Sequence, residues 1–318
     1  MFNRRRNLVM YVLSGAVLAG AGVLGVTYYS LRLPRPAKQL VEELVPAERG
    51  LVVAHRGESV DAPENTLVAF RLAKKNKAAG VEFDLSYTSD GHAVLLHDDD
   101  VDRTTDGTGP IDQLTLAEVR QLNAAYNHKY RDKVGTVQIP ILEEAVQECL
   151  RLNLTMFIDV KGNATKSAAV LSSIFRQYNL FNKAIVCSFS PYIVYKVKQA
   201  EPRIVTAITH RKWFLSESVI GRPRFSSSIK HYLAVIADII LEWSIHHWLY
   251  DICGCSVVLM HRHMINKDYL LSWKEKGVRV VVWTVNSADE KQYFHDTLKV
   301  SYMTDCTRPG ADCANQTT

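Results

Sequence analysis

Eight short runs of β-branched and apolar residues, spread along most of the chain, restrict its fold more than any other feature. They are LVVAH (51–55), VEFDL (81–85), LTMFIDV (154–160), AIVCSF (184–189), RIVTAIT (203–209), SVVLM (256–260), VRVVVWTV (278–285) and VSYMTD (300–305). Each has the length of a strand. Stretches of helical period separate them, over 65–78, 141–152, 165–179, 191–200, 229–252, 266–276 and 287–297. Strands alternating with helices build parallel βα units, and eight units close into a TIM (β/α)₈ barrel. An open doubly wound sheet is the rival, but no GxGxxG follows the first run. A chain of 318 residues, 47% hydrophobic and 22% charged, can fill one such core. Two stretches exceed the regular spacing: 90–140 and the region 210–255.

Side chains alternate across a strand. Glu82 and Asp84 therefore share one face of VEFDL, and Val81, Phe83 and Leu85 share the other. The apolar set should meet the helices, which aims both carboxylates into the barrel. Two like charges there need a positive neighbour. Asp159 and Lys161 share a face at the end of the third run, and His55 closes the first. Barrel enzymes keep their chemistry on this C-terminal rim. The expected rim thus holds His55, Glu82, Asp84, Asp159 and Lys161. Three carboxylates favour a hard cation, Mg²⁺ or Ca²⁺, over Zn²⁺. An ExD pair alone reads as a solvated strand end or a salt bridge. With Asp159 and His55 on other strands, it reads as a site.

Past the second run, SDG (89–91) marks a turn and AVLLHD returns as a short extended run ending at His97. That return puts His97 on the same rim, as an acid–base partner for His55 across the metal. Residues 104–109 lack the GK[ST] of a P-loop. In AHRGESVDAPENTLVAF (54–70), Asn65 or Thr66 caps the next helix and Pro63 fixes the loop. A plain strand-to-helix turn would need the cap, but not His55, Arg56 and Glu64 together.

HRGESVDAPENT, VEFDLSYTSDGHAVLLHDDDVDRTTDGTG and FIDVKG resemble the signature of the glycerophosphodiester phosphodiesterase family. The resemblance runs over roughly residues 51 to 305, and THRKWFLS (209–216) with the apolar insert is most like the family's membrane-bound animal members. It implies a TIM barrel with a small insertion after the second strand. It also implies His55 and His97 as acid and base, Arg56 on the phosphate, and Glu82, Asp84 and Asp159 on a divalent metal. Glu64 and Lys161 would support the site, and Trp283 would lie near the glycerol. Many members carry Glu where this chain has Asp159; the shorter side chain keeps the charge but changes the reach to the metal, which leaves both Mg²⁺, the first choice, and Ca²⁺ open. The implied reaction is hydrolysis of glycerophosphodiesters, such as glycerophosphoinositol, to an alcohol and glycerol phosphate. The alternative is a lysophospholipase D acting on lysophospholipids or N-acyl glycerophosphoethanolamines at a membrane. An inactive barrel scaffold comes third. It should have lost a histidine or a carboxylate, and none is missing.

Residues 8–31 hold 24 positions without a charge, preceded by Arg4, Arg5 and Arg6. This predicts a transmembrane anchor, with 1–7 cytosolic, Tyr28 and Tyr29 at the far interface, and 32–49 as a linker. The barrel (50–318) would then be lumenal or extracellular, as in a single-pass protein with the membrane as a partner. A cleaved signal peptide is the rival, but its apolar run would be shorter. Sequons at Asn153, Asn163 and Asn315 suit that side, and Cys306 and Cys313 could bridge a tail loop there. The net charge of +5 includes no long basic stripe with interleaved aromatics, which argues against nucleic acid. The apolar stretch 232–252 carries Asp238 and Glu242 mid-way and precedes three barrel strands. It should not cross a membrane, but pack on the barrel or dip into a leaflet.

Overall fold

All eight runs become strands of one ring. The computed structural model describes residue 23, residues 25–308 and residues 310–314. β1 (Val52–Ala54) and β2 (Gly80–Tyr87) come first, and the short β3 (Ala93–Leu95) folds back antiparallel on β2. β4 (Thr155–Val160), β5 (Ala184–Ser188) and β6 (Val205–His210) follow. A separate hairpin, β7 (Glu217–Val219) and β8 (Arg222–Pro223), precedes β9 (Val257–His261), β10 (Arg279–Trp283) and β11 (Ser301–Thr304). The ring runs β1-β11-β10-β9-β6-β5-β4-β2, and β1 pairs with β2 to close it. Every ring pairing is parallel. In this order β6 stands diametrically opposite β1.

The alternation read from the sequence is physical. Val81, Phe83 and Leu85 of β2 pack outward against helical Phe70, Leu142 and Phe175. Val53, Phe157, Ile185, Val205, Val257, Val281 and Met303 fill the barrel itself. Within 32–49, Lys38–Leu44 is helical. It adds Val41 and Leu44 to the interior cluster, and Glu42 pairs with Arg279 at the start of β10. The insertion over 90–140 carries its own small core of Val94, Leu96, Val101, Ile111, Val119 and Ile139.

The transmembrane anchor is overturned as an element of this fold. Among the described residues, no helix is long and apolar enough to cross a membrane. Residues 1–22 and 24 lie outside the described residues. What is described of the expected span, residue 23 and residues 25–31, is helical. Its Tyr28 does not mark an interface. The hydroxyl donates to Asp251 Oδ2, and Arg32 and Arg35 join the same carboxylate at 2.7 Å each. The single-pass placement and the membrane partner rested on that span and go with it.

The long apolar insert forms the helix Ser228–Ser244, a wider-wound turn Ile245–Leu249, and Tyr250–Ile252. Its C-terminal part packs on the barrel, where Leu241, Ile245 and Leu249 join Val258, Val280 and Trp273. Asp238 is buried and accepts the N–H groups of Leu215 (2.8 Å) and Ser216 (2.9 Å). Ile229, Leu233, Ile236, Ile240 and Trp243 stay exposed on its other side.

Candidate active site

The β1 end is built by a tight turn. The His55 N–H donates to Thr304 O (2.9 Å) across the β1–β11 seam. Arg56 then takes a left-handed conformation (φ 55°), which an ordinary residue adopts at a cost of roughly 1–2 kcal/mol. Two bonds hold it there: Arg56 N–H donates to Glu82 Oε2 (3.0 Å), and Arg56 O accepts Asn65 N–H (2.9 Å). At Gly57 (φ 80°) a side chain is excluded, because a Cβ would sit 2.6 Å from that of Ala69. Thr66, not Asn65, caps the following helix. Asn65 is freed for another task. It donates from Nδ2 to Asp84 Oδ2 (2.9 Å) and accepts the Asp84 N–H (3.0 Å).

β2 and β4 set Asp84 beside Asp159 in register, with Glu82 two residues earlier. Three buried carboxylates in one mouth interact strongly. Burial works against the charge on Asp84, but Lys161 Nζ (3.1 Å) and Arg56 Nε (3.3 Å) outweigh it, and Asp84 is held well below the usual range. Burial and the Asp84 charge push Glu82 up to about 7. Burial, Asp84 and Glu82 hold Asp159 well above its usual value. One oxygen of Asp159, Oδ1, is buried with no hydrogen-bond partner.

Each histidine has a carboxylate of its own. His55 Nδ1 lies 2.6 Å from Asp305 Oδ1, at the end of β11, and its Nε2 is 3.8 Å from Glu82. Burial opposes its charge, yet Asp305 and Glu82 prevail and keep His55 above the usual imidazole range. Asn286 fixes Asp305, donating to Oδ2 (2.6 Å) and accepting the Asp305 N–H (3.0 Å). His97 Nδ1 lies 2.6 Å from Asp98 Oδ1, and Lys161 Nζ donates to the His97 carbonyl. Burial holds His97 below the usual range. Arg103 ties two arms together. It donates through Nε to Asp98 (2.5 Å) and through both terminal nitrogens to Glu64 (2.8 and 2.7 Å). Glu64 also accepts from Arg56 (3.0 Å).

His55, Arg56, Glu82, Asp84, His97, Asp159, Lys161 and Trp283 all line one cavity of about 1640 Å³. Glu64 stands behind it, against Arg56. Trp283 forms part of an aromatic wall, edge-on to Phe189 (5.4 Å) and to His261 (5.1 Å). The sequence reading missed Asp305, Asn286, Asp98 and Arg103, and took Asn65 only as a cap. One signal was present: Asp305 ends the eighth run as Asp159 nearly ends the third.

Two groups of residues could hold a cation. Among the described residues, Glu58, Asp61 and Cys306 bring three ligand atoms within 4.8 Å of one another and could coordinate a divalent ion. That charge is already answered by the protein. Glu58 accepts the Thr307 N–H (2.9 Å) and hydroxyl, and Asp61 pairs with Arg308 (2.8 Å). A thiol is also a soft ligand for a hard cation. Glu82, Asp84 and Asp159 are less tightly gathered, but they face the cavity and include the unpartnered Asp159 oxygen. Their all-oxygen set fits Mg²⁺ or Ca²⁺ better.

Residues 55–308 match the glycerophosphoryl diester phosphodiesterase family. The chain is 46% identical over 302 residues to glycerophosphodiester phosphodiesterase 1 of Mus musculus, covering 95% of this chain and 90% of the mouse protein. The Homo sapiens protein of that name is 44% identical over 303 residues, covering 94% and 92%. Among solved structures, a glycerophosphodiester phosphodiesterase from Agrobacterium tumefaciens superposes with a TM-score of 0.64 at 19% identity, over 81% of this chain and 97% of that one. A phosphodiesterase from Oleispira antarctica, solved with sn-glycerol-3-phosphate, gives 0.61 at 23%, over 82% and 94%. At those identities the structures speak for the fold alone.

Proposed function

The chain belongs to the glycerophosphoryl diester phosphodiesterase family of hydrolases, and we propose that it cleaves small glycerophosphodiesters such as glycerophosphoinositol to glycerol phosphate and the free alcohol. One observation carries this reading: two histidines, each backed by a carboxylate, share a cavity with Arg56 and three strand carboxylates.

Glu82, Asp84 and Asp159 would hold a divalent cation, Mg²⁺ first and Ca²⁺ second, which when bound offsets charge on the phosphodiester oxygens. Arg56 adds a fixed guanidinium beside them, braced by Glu64 and Asp84. Asp305 engages Nδ1 of His55 and Asp98 engages Nδ1 of His97, so each ring keeps Nε2 for the substrate. One histidine takes the proton of the nucleophile, which is either water or the glycerol 2-hydroxyl, and the other protonates the departing alcohol oxygen; in the second case a cyclic phosphate forms and water then opens it to glycerol phosphate. Lys161 holds the His97 loop and the Asp84 carboxylate at once.

The test is release of inositol from glycerophosphoinositol by the purified protein, with Mg²⁺, with Ca²⁺ and with chelator. Cation-dependent release is expected. Unchanged release in chelator would remove the metal from the reading, and no release under any condition would remove the substrate. A second reading, cleavage of lysophospholipids, is favoured by the apolar lining of the same cavity at Phe189, Phe214, Ile220 and Leu241. Running the two substrate classes side by side separates them.

A further inference from the structure

β6 leaves the ring opposite β1, and the residues after it are Arg211, Lys212, Trp213 and Phe214. Arg211 is 7% exposed. Its guanidinium donates to the carbonyls of Lys212 (3.3 Å), Glu217 (2.8 Å) and Ser218 (3.2 Å). Arg224, on the far limb of the β7–β8 hairpin, donates to the carbonyls of Leu215 (3.2 Å), Phe214 (3.0 Å) and Glu217 (3.0 Å). Two guanidinium groups thus meet on one carbonyl oxygen, that of Glu217. The Phe214 ring lies 5.7 Å from one and 5.9 Å from the other. Both arginines and Phe214 line the cavity that holds His55 and Arg56.

Among the described residues no carboxylate forms an ion pair with either arginine, although Glu217 and Asp238 lie near enough to favour the charge on Arg211. Elsewhere around the cavity each arginine has such a partner: Arg56 has Glu64 and Asp84, and Arg262 has Glu290. The two acids nearest Arg211 are turned to backbone amides. Glu217 accepts the Gly221 N–H (2.8 Å), and Asp238 accepts those of Leu215 and Ser216. Burial works against the charge on Arg211 and Arg224 adds to that, while Glu217 and Asp238 favour it; the balance leaves Arg211 below the usual guanidinium range. Two cations held by neutral carbonyls beside an aromatic face make a place for an anion. They repel a quaternary ammonium that the aromatic wall alone would attract.

We propose that Arg211 and Arg224 form a subsite for an anionic group, a phosphate monoester or a carboxylate, on the alcohol half of the substrate. The proposal rests on the phosphodiesterase reading above. With the scissile phosphate held at β1 and β2, the alcohol extends across the mouth toward β6. The pair then selects head groups by charge, away from the reacting atoms.

The test compares kcat/KM for four compounds: glycerophosphoinositol 4-phosphate, glycerophosphoserine, glycerophosphoinositol and glycerophosphocholine. The phosphorylated compound should exceed its neutral parent by about tenfold, as one charge-assisted contact would give. Choline should come last, and the serine compound shows whether a carboxylate also serves. In Arg211→Gln, Arg224→Gln and the double variant, the ratio of charged to neutral substrate should fall toward one, chiefly through KM. Salt at about 0.5 M should erode it in the native protein. Arg224 is exposed, so its variant keeps the test open should Arg211→Gln not fold. Equal kcat/KM for charged and neutral substrates in the native protein would overturn the subsite. So would a parallel loss on both in the variants, which marks a structural role. Hydrolysis of none of the four would remove the phosphodiesterase reading itself, and the subsite with it.

Discussion

Asp305 lies 2.6 Å from Nδ1 of His55, although 250 positions separate them along the chain. Only closure of the ring between β1 and β11 makes them neighbours. The carboxylate fixes which nitrogen of His55 faces the cavity, as a positioning residue does in other acid–base sites. Asp305→Asn keeps the shape and loses the charge. It should lower kcat by roughly 10–100-fold with little change in KM. An unchanged kcat, or a KM that rises in step with the loss, would remove Asp305 from this role.

Arg103 joins Glu64, which braces Arg56, to Asp98, which braces His97. Arg103→Ala should therefore loosen both arms, whereas Arg103→Lys should keep one contact and lose the bidentate fork. Turnover should fall about tenfold or more in the alanine variant, with partial rescue by lysine. Steady-state kinetics on glycerophosphoinositol checks this. Equal turnover in all three proteins would show that the loop positions itself without Arg103.

The carboxylates make a separate prediction about stability. Burial and mutual repulsion hold Asp159 and Glu82 above their usual range. In chelator near neutral pH, Asp159→Asn should therefore raise the melting temperature, since the unfolded carboxyl ionises freely while burial, Asp84 and Glu82 resist its ionisation in the fold, a cost that the amide does not carry. Added Mg²⁺ should raise the melting temperature of the native protein and leave the variant behind. His55→Ala and His97→Ala should each cut turnover by roughly 10²–10⁴ and still show the Mg²⁺ shift. A variant that melted with Mg²⁺ like the native protein would shift the cation site away from Asp159.

The ring and its rim were legible because both are periodic. Val81, Phe83 and Leu85 alternate with Glu82 and Asp84, and period two alone told which set faced the helices. The partners of those residues were not legible. Asp305 meets His55, and Arg103 meets Glu64, only after distant segments close, and no local pattern encodes that contact. Asn65 shows another limit. Its residue type suits a helix cap, yet its left-handed backbone turns the side chain to Asp84 while Thr66 does the capping. Hydropathy misled at the N-terminus for a similar reason. An uncharged window reads as a span, but a window cannot register that Tyr28 at its end bonds to Asp251, 223 positions away.

Asp251 supplies the last prediction. It collects the Tyr28 hydroxyl and the guanidinium groups of Arg32 and Arg35, and so pins the segment before the barrel to the end of the apolar insert. Burial works against its charge, but these three partners prevail and hold it below the usual carboxylate range. Asp251→Asn should destabilise the fold by about 2 kcal/mol, less than a fully buried pair would lose because the Arg32 side chain is 43% exposed. The sign with pH follows from the lowered value. The contribution is fully present above the unfolded value, about 3.9, and is lost as pH falls through the folded one. Denaturation at neutral pH should therefore separate the two proteins, and the gap should close steadily below about pH 4. Limited proteolysis at neutral pH should cut the variant near Arg32 and Arg35 sooner. A gap that stayed constant from neutral pH to below 3 would mean that the loss came from packing rather than from the charge on Asp251.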